Sequence, residues 1–288
     1  MTKGYIPASD FHVFRCFGND AESFLQSQFT GDVSTIPDGG WALSGYCSPK
    51  GRLLAVFFVC RAESEFLLLT HDSVSDAVIA RLRMYVMRAD VTFERLAERC
   101  LAFRDKRPDV DKPTANADPL FHLPDLLDVS TAEAAPVDTL SERLSFQQLC
   151  VELGVAVISA PLSEMFIPQS VNLDLVGGVS FQKGCYPGQE VVARVRYRGK
   201  PKQRMIRAVT EQPRHPDPGS AVLCTSGASG RNGVVVCAGA TQNPGQIQLL
   251  ASVPVTAIMK SDPEELLWGE APLSICPLPY LLPVDDLT

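Results

Sequence analysis

The longest unbroken apolar run in this chain is Leu53-Leu54-Ala55-Val56-Phe57-Phe58-Val59-Cys60. A membrane helix needs ~18 such residues, whereas this run has the length of a strand buried on both faces. Shorter patterns surround it. Asp10 to Phe17 alternates like a strand. Trp41 to Cys47, Arg52 to Cys60 and Phe66 to Thr70 are predicted strands, with Gly51 in the turn before the second of them. Asn19, followed three residues later by Glu22, predicts a capped helix running to about Phe29. Ser73 to Arg88 repeats apolar residues at Val74, Val78, Leu82 and Val86, which is helical spacing. Strands are expected again at Val91 to Glu94 and Cys100 to Phe103. The mixture predicts an α+β chain.

Asp105 to Pro119 is rich in Pro, Asp and Lys and predicts an exposed loop. Leu140 to Glu152 returns to a helical pattern, and Val191 to Tyr197 alternates like a strand. After Pro201 short strands with turn signals take over: Met205 to Val209, Ala221 to Thr225, Gly233 to Cys237, Ile247 to Leu250 and Val253 to Met259. They predict a small β-barrel or sandwich, and place a domain boundary near residue 200, dividing 1–200 from 201–288. Gly227 to Gly233 lacks the strand, lysine and helix of a phosphate loop and reads as a hairpin turn.

The net charge of −7 over 288 residues argues against general nucleic-acid binding, although a local basic patch is compatible with it. The first residues, MTKGYIPASD, form no apolar signal segment, so a cytoplasmic protein is expected, with no membrane partner. Nine cysteines are present, none in a C-x-x-C spacing, so neither a zinc knuckle nor an iron–sulfur ligand run is supported and no metal is expected. Several of them, Cys60 and Cys237 for example, lie in apolar strings and read as small buried hydrophobes. His12, His71, His122 and His215 are scattered, which disfavours a Cys-His hydrolase.

One cysteine differs. Lys183-Gly184-Cys185-Tyr186-Pro187-Gly188-Gln189-Glu190 encloses a thiol between glycines and a proline. Pro187-Gly188 suits the centre of a type II turn, which would place Cys185 on a tight, accessible bend. Lys183 or the cations that follow would favour the thiolate. Those cations are Arg194, Arg196, Arg198, Lys200, Lys202 and Arg204. Lys183 to Arg207 holds eight basic residues and one acid, a net +7, so the remainder of the chain sums to −14. In an extended segment Arg194, Arg196 and Arg198 would form one row, suited to carboxylates or phosphates. A solvated edge strand is the plainer reading of the same residues.

The segment Lys183 to Glu190 resembles the K-G-C-Y-x-G-Q-E signature of the YgfZ family. Phe24 to Val33, Phe166 to Gln169, Asn172-Leu173, Gly177 to Phe181 and Pro277 to Tyr280 resemble that family as well, so the likeness covers essentially the whole chain. The resemblance implies the aminomethyltransferase folate-binding fold, with a C-terminal β-barrel domain and lobes around a central hole. It implies tetrahydrofolate, or a folate derivative, as cofactor. It also implies client iron–sulfur proteins as partners.

Two residue-level expectations come with it. In the superfamily an acid in an R-[IL]-E-A-G segment holds the pterin, and Cys150-Val151-Glu152-Leu153-Gly154 matches that stretch with Cys150 and Leu153 in place of Arg and Ala, pointing to Glu152. A carboxylate can accept from the 2-amino and N3–H edge of a pterin. Active T-proteins of the glycine cleavage system also carry adjacent aspartates where this chain has Lys50-Gly51-Arg52-Leu53-Leu54-Ala55-Val56. Without a carboxylate to orient the folate amine, ordinary aminomethyl transfer is not expected. Three readings follow. The first is a folate-dependent accessory protein of iron–sulfur proteins with Cys185 as functional thiol, the Arg194 row engaging the glutamate tail. The second is a methyl or aminomethyl transferase with a rearranged site. The third is a non-catalytic scaffold that binds an acidic protein or RNA through its basic segment.

Overall fold

The two-faced burial expected of Leu53 to Cys60 is met by a five-stranded antiparallel sheet. A computed structural model describes residues 10–96, 146–212, 214–225, 232–241, 243–258 and 265–283, together with the backbone of 4–6 and 101–103. The sheet contains β2 (Phe11–Phe17), β3 (Trp41–Cys47), β4 (Leu53–Ala62), β5 (Glu65–His71) and β6 (Thr92–Leu96), in the order β3-β4-β5-β2-β6. Successive residues of β4 face opposite cores. Ala55, Phe57 and Val59 pack under two helices, α1 (Ala21–Gln28) and α2 (Asp72–Val86), while Val56 and Phe58 join a larger cluster on the other face. With water excluded from both faces the strand has no use for polar alternation, hence the continuous apolar run. Outside this sheet, β1 (Gly4–Ile6) pairs antiparallel with β7 (Leu101–Phe103).

The seven-stranded sheet comes entirely from the end of the chain. Its order is β13-β12-β9-β10-β11-β8-β14, drawn from β8 (Gln203–Glu211), β9 (Ala221–Cys224), β10 (Gly233–Ala240), β11 (Gln246–Pro254), β12 (Leu266–Trp268), β13 (Ala271–Pro272) and β14 (Ser274–Cys276). The two edge strands are consecutive in sequence, separated only by Leu273. β13 pairs with β12 at one edge and β14 with β8 at the other, so residues 271–276 nearly close the sheet into a barrel and blunt its edges. Period-2 packing follows: Ile206, Ala208, Leu249 and Ala251 fill the barrel interior, while Met205 and Leu250 point outward into the large central cluster.

That central cluster joins the two sheets. It takes Phe146, Leu149 and Cys150 from α3 (Phe146–Glu152), the buried run Leu153 to Ile158, and Met205, Val236 and Leu250 from the barrel side. Phe146 is edge-on to both Phe11 and Phe58, at 4.7 and 5.1 Å between centroids. Three sequence expectations need correction. Asn19 does not cap the first helix: Asp20 occupies the cap position, and Asn19 donates to Asp90 at 2.8 Å, tying that corner to the turn before β6. Residues 247–254 lie in one strand, β11, and Val255–Ile258 is a 3-10 turn rather than strand. Val191 to Tyr197 is helical, within α4 (Gln189–Arg198). The expected loop at 105–119, most of the 227–233 turn and Cys100 lie outside the described residues. No helix among the described residues is long and apolar enough to cross a membrane.

Candidate functional site

The turn that carries Cys185 is built around two interlocked glycines. Gly188 caps α4 with φ +82°, and a Cβ there would stand 2.5 Å from the Ser48 carbonyl oxygen. Gly51, in the β3–β4 turn, has φ +68°, and a Cβ there would stand 2.8 Å from Val191 Cβ. Neither position admits a side chain, by backbone angle or by space. The β3–β4 turn, closed by Ser48 N–H donating to the Arg52 carbonyl at 2.8 Å, therefore forms the floor against which α4 begins. Gly184, by contrast, has no positive φ, and a Cβ there would meet open space.

Lys183 fastens the other end of the turn. Its Nζ donates to the Phe29 carbonyl at 2.8 Å and the Gly31 carbonyl at 2.7 Å, just beyond α1. Burial pushes its ammonium down to about 8, with nearby Asp32 opposing the shift. Asp32 is itself held low by Ser34 and Gln26, which donate to it at 2.6 and 2.9 Å. Tyr186 is buried, with its phenol pushed up by desolvation and by neighbouring Cys47. Cys185 lies between these two anchors and is the one exposed cysteine among the described residues. The expectation that Lys183 favours the thiolate changes accordingly. Its hydrogen bonds go to main-chain carbonyls, and none among the described residues reaches the Cys185 sulfur. Lys183 is thus a tether that positions the loop.

The cationic segment differs most from expectation. In a helix, positions 194 and 198 share a side and 196 points nearly opposite, at about 100° per residue. Arg194, Arg196 and Arg198 are all exposed, but they form no single row. Arg196 lies over the Phe181 ring at 5.6 Å, and Tyr197 meets the same ring edge-on at 6.1 Å. Only Val192 of α4 is buried, and its carbonyl accepts from Gln169 Nε2 at 2.8 Å. Arg204, the last cation of the run, is not solvated at all. It is 3% exposed and makes two hydrogen bonds to Asp174, at 2.7 and 3.1 Å, with a third to the Gln169 carbonyl at 3.0 Å.

Glu152 ends α3, partly buried. Its main-chain carbonyl accepts from buried Arg207 at 3.1 Å, and among the described residues no protein group takes its carboxylate. Arg207 Nε is buried without an acceptor. Two residues on, Gly154 has φ +65°; its carbonyl accepts from Tyr280 at 2.7 Å, and a Cβ would stand 2.9 Å from that ring. An available carboxylate with an orphaned donor nearby suits a pterin's mixed donor and acceptor edge. Glu152 and Cys185 are not in contact. Between the two elements, Asn172 exchanges hydrogen bonds with the Met205 main chain at 2.7 and 3.1 Å and reaches Tyr280 at 3.3 Å, and Gln169 donates to the Val192 carbonyl of α4. Asn172, Asp174 and Tyr280 were not assigned roles from sequence; the left-handed backbone of Asn172, φ +57°, marks that turn as specified.

Within the Lys50 to Val56 stretch, Leu53 and Ala55 are fully buried, and Leu53 exchanges backbone hydrogen bonds with Glu164 and Phe166 at 2.7 and 2.8 Å. The described residues contain no group of three or more His, Cys, Asp or Glu able to hold a metal.

No family model matches the chain. It is 30% identical, over 96% of its length and 93% of the relative's, to a tRNA-modifying protein YgfZ of Enterobacter sp. (strain 638). The chain belongs to the YgfZ family. YgfZ proteins of Klebsiella pneumoniae (strain 342) and Cronobacter sakazakii (strain ATCC BAA-894) are equally similar, at 30% identity over 95% and 96% of this chain and 91% and 93% of theirs. A solved glycine cleavage system aminomethyltransferase T from Bartonella henselae superposes with a TM-score of 0.67, covering 97% of this chain and 87% of that one at 16% identity. The fold is thus that of the aminomethyltransferase T-protein, with the seven-stranded, nearly closed barrel at its end. On this YgfZ member, the Lys183 to Glu190 turn is braced at both ends and offers its thiol outward.

Proposed function

We propose that this protein is a tetrahydrofolate-binding accessory protein in the assembly or repair of iron–sulfur proteins that serve tRNA modification, with Cys185 as its functional thiol. The observation that carries the reading is the exposure of Cys185 on a turn rigidly fixed by Lys183 and by the Gly51–Gly188 interlock, while Cys16, Cys47, Cys60, Cys150 and Cys237 are all buried. A thiol that served only packing would not be held outward by a specified turn. The relatives' name, tRNA-modifying protein, supplies the process, and the T-protein fold supports the folate. Glu152 is the proposed acceptor for the pterin edge, with Arg194, Arg196 and Arg198 as candidates for anionic contacts. Folate would supply one-carbon chemistry. The chain's own part is to bind and orient it and to present the thiol. The lack of a carboxylate from Lys50 to Val56 speaks against ordinary aminomethyl transfer. Residues 1–200 and 201–288 are proposed as the two structural units, in a cytoplasmic protein.

The test is a calorimetric titration with tetrahydrofolate under reducing conditions. Wild type is expected to bind, and Glu152→Gln to bind at least tenfold more weakly, about 1.4 kcal/mol. Absence of wild-type binding would remove folate from the proposal. Separately, Cys185→Ala is expected not to restore iron–sulfur enzyme activity in a deletion strain; full restoration would remove the thiol's role.

A further inference from the structure

Several surface arginines of this protein are held by carboxylates. Arg15 pairs with Glu65 and Glu94, Arg61 with Glu22 and Arg95 with Asp76. Arg194, Arg196, Arg198, Lys200 and Lys202 are exposed, and none has a carboxylate within ion-pair distance among the described residues. This concentration of unpaired cations stands in a chain of net charge −7. Among them Tyr197 keeps 69% of its surface exposed and meets the Phe181 ring edge-on. Buried packing does not explain an aromatic so placed, and interleaved with arginines it has the composition of a single-stranded nucleic-acid surface. An acidic peptide would use the charges but has no use for the ring.

We propose that the outer surface of α4 binds a single-stranded RNA segment, its phosphates on Arg194 and Arg198 and a base on Tyr197. The helix begins at Gly188, three residues past Cys185, and spans about 15 Å at 1.5 Å per residue. A strand lying along it is therefore led toward the exposed thiol. This deepens the reading given above, on which it rests only for the choice of RNA over DNA.

The experiment is fluorescence anisotropy of a labelled twelve-nucleotide oligouridine with the full chain, at several salt concentrations and without folate. Arg194→Glu/Arg198→Glu is expected to weaken binding at least tenfold and to flatten the slope of log affinity against log salt by about 1.4, at roughly 0.7 per lost phosphate contact on a single strand. Tyr197→Ala is expected to weaken binding about fivefold or more with the slope unchanged, since a stack carries no counterion. Should the charge-reversed protein fail to fold, Arg194→Gln/Arg198→Gln serves instead. No wild-type binding at 100 μM probe, or equal binding by all variants, overturns the proposal. Equal competition by a twelve-residue oligoglutamate, with Tyr197→Ala unaffected, overturns it in favour of an acidic protein partner. Cys185→Ala is expected to keep wild-type RNA affinity, and that affinity is read whether or not tetrahydrofolate binds, so the two proposals fail separately.

Discussion

The basic run from Arg194 to Arg207 contains two regions that share a residue type and differ in everything else. At its end, Arg204 and Arg207 are buried: Arg204 is bound to Asp174, and Arg207 reaches the end of α3. At its start, Arg194 and Arg198 stand in solvent without carboxylate partners among the described residues. The first region knits the barrel to the turn at Pro168–Val171; the second does no structural work that the described contacts reveal. The difference shows that a count of charges along a sequence says little until burial divides them. A buried guanidinium must be paired, and its partner can be named, whereas an exposed unpaired one is free to meet something else.

Arg204→Met should break this comparison most severely. It strands the Asp174 carboxylate, only 4% exposed, in a place without solvent. Removing one partner of a buried pair costs about 3–5 kcal/mol, to be read as a loss in urea-unfolding free energy. Arg204→Met combined with Asp174→Leu removes both charges and should recover most of that loss. If the single variant lost less than about 1 kcal/mol, the pair would be no anchor, and the contrast between the two regions would fail.

A second pair of variants sharpens the contrast within the thiol turn itself. Gly188→Ala forces a Cβ into the Ser48 carbonyl at a φ of +82° and is expected to cost about 1–3 kcal/mol and to loosen the turn. Gly184→Ala, two positions from Tyr186 on the same segment, meets open space and should stay within about 0.5 kcal/mol of wild type. Equal costs would mean that the turn is not fixed by its interlock with Gly51. Thermal unfolding of both, alongside the rate at which Cys185 reacts with a thiol reagent, gives the answer.

Much of this was legible in the sequence, and the misreadings have physical causes. The strands and α2 were readable because each buries one regular face, or, for β4, two. The helix α4 was misread because Arg194-Val195-Arg196-Tyr197-Arg198 imitates a period of two. Its conformation is set instead by Gly188 at the cap and by Val192, the single residue it buries. Such a helix writes almost no apolar pattern, so periodicity had nothing to report. The sequence does not separate Arg204 from its exposed neighbours, because its partner, Asp174, lies 30 residues upstream and nothing local marks the pair. The tight turn beside Cys185 was legible for the opposite reason: Pro187 and Gly188, which form it, lie within three residues of the thiol.

Lys183 gives a prediction in pH. Its amine is held near 8 in the fold and lies near 10.5 when unfolded. Below about 8 both states carry the proton and stability does not change on its account. Between about 8 and 10.5 the unfolded chain binds more protons than the folded one, so this group makes stability rise with pH, by at most about 1.4 kcal/mol per unit. The stability difference between wild type and Lys183→Met should therefore grow in favour of wild type across that window and be flat below it. A flat difference throughout would mean that Lys183 is not desolvated, and that the tether at Phe29 and Gly31 is open to water.

The smallest expected change in stability is also the one that separates the two regions most cleanly. Arg194→Ala and Arg198→Ala remove exposed side chains with no carboxylate partner among the described residues, so each should leave unfolding free energy within about 0.5 kcal/mol of wild type. If these arginines merely keep the helix soluble, the variants should also retain wild-type support of iron–sulfur enzyme activity in a deletion strain. If the surface is a docking site, activity should fall while stability holds, a combination that no buried substitution in Arg204 or Gly188 can produce. A stability loss of several kcal/mol from Arg194→Ala would place the exposed arginines in the fold after all, and the division between anchor and docking surface would be lost.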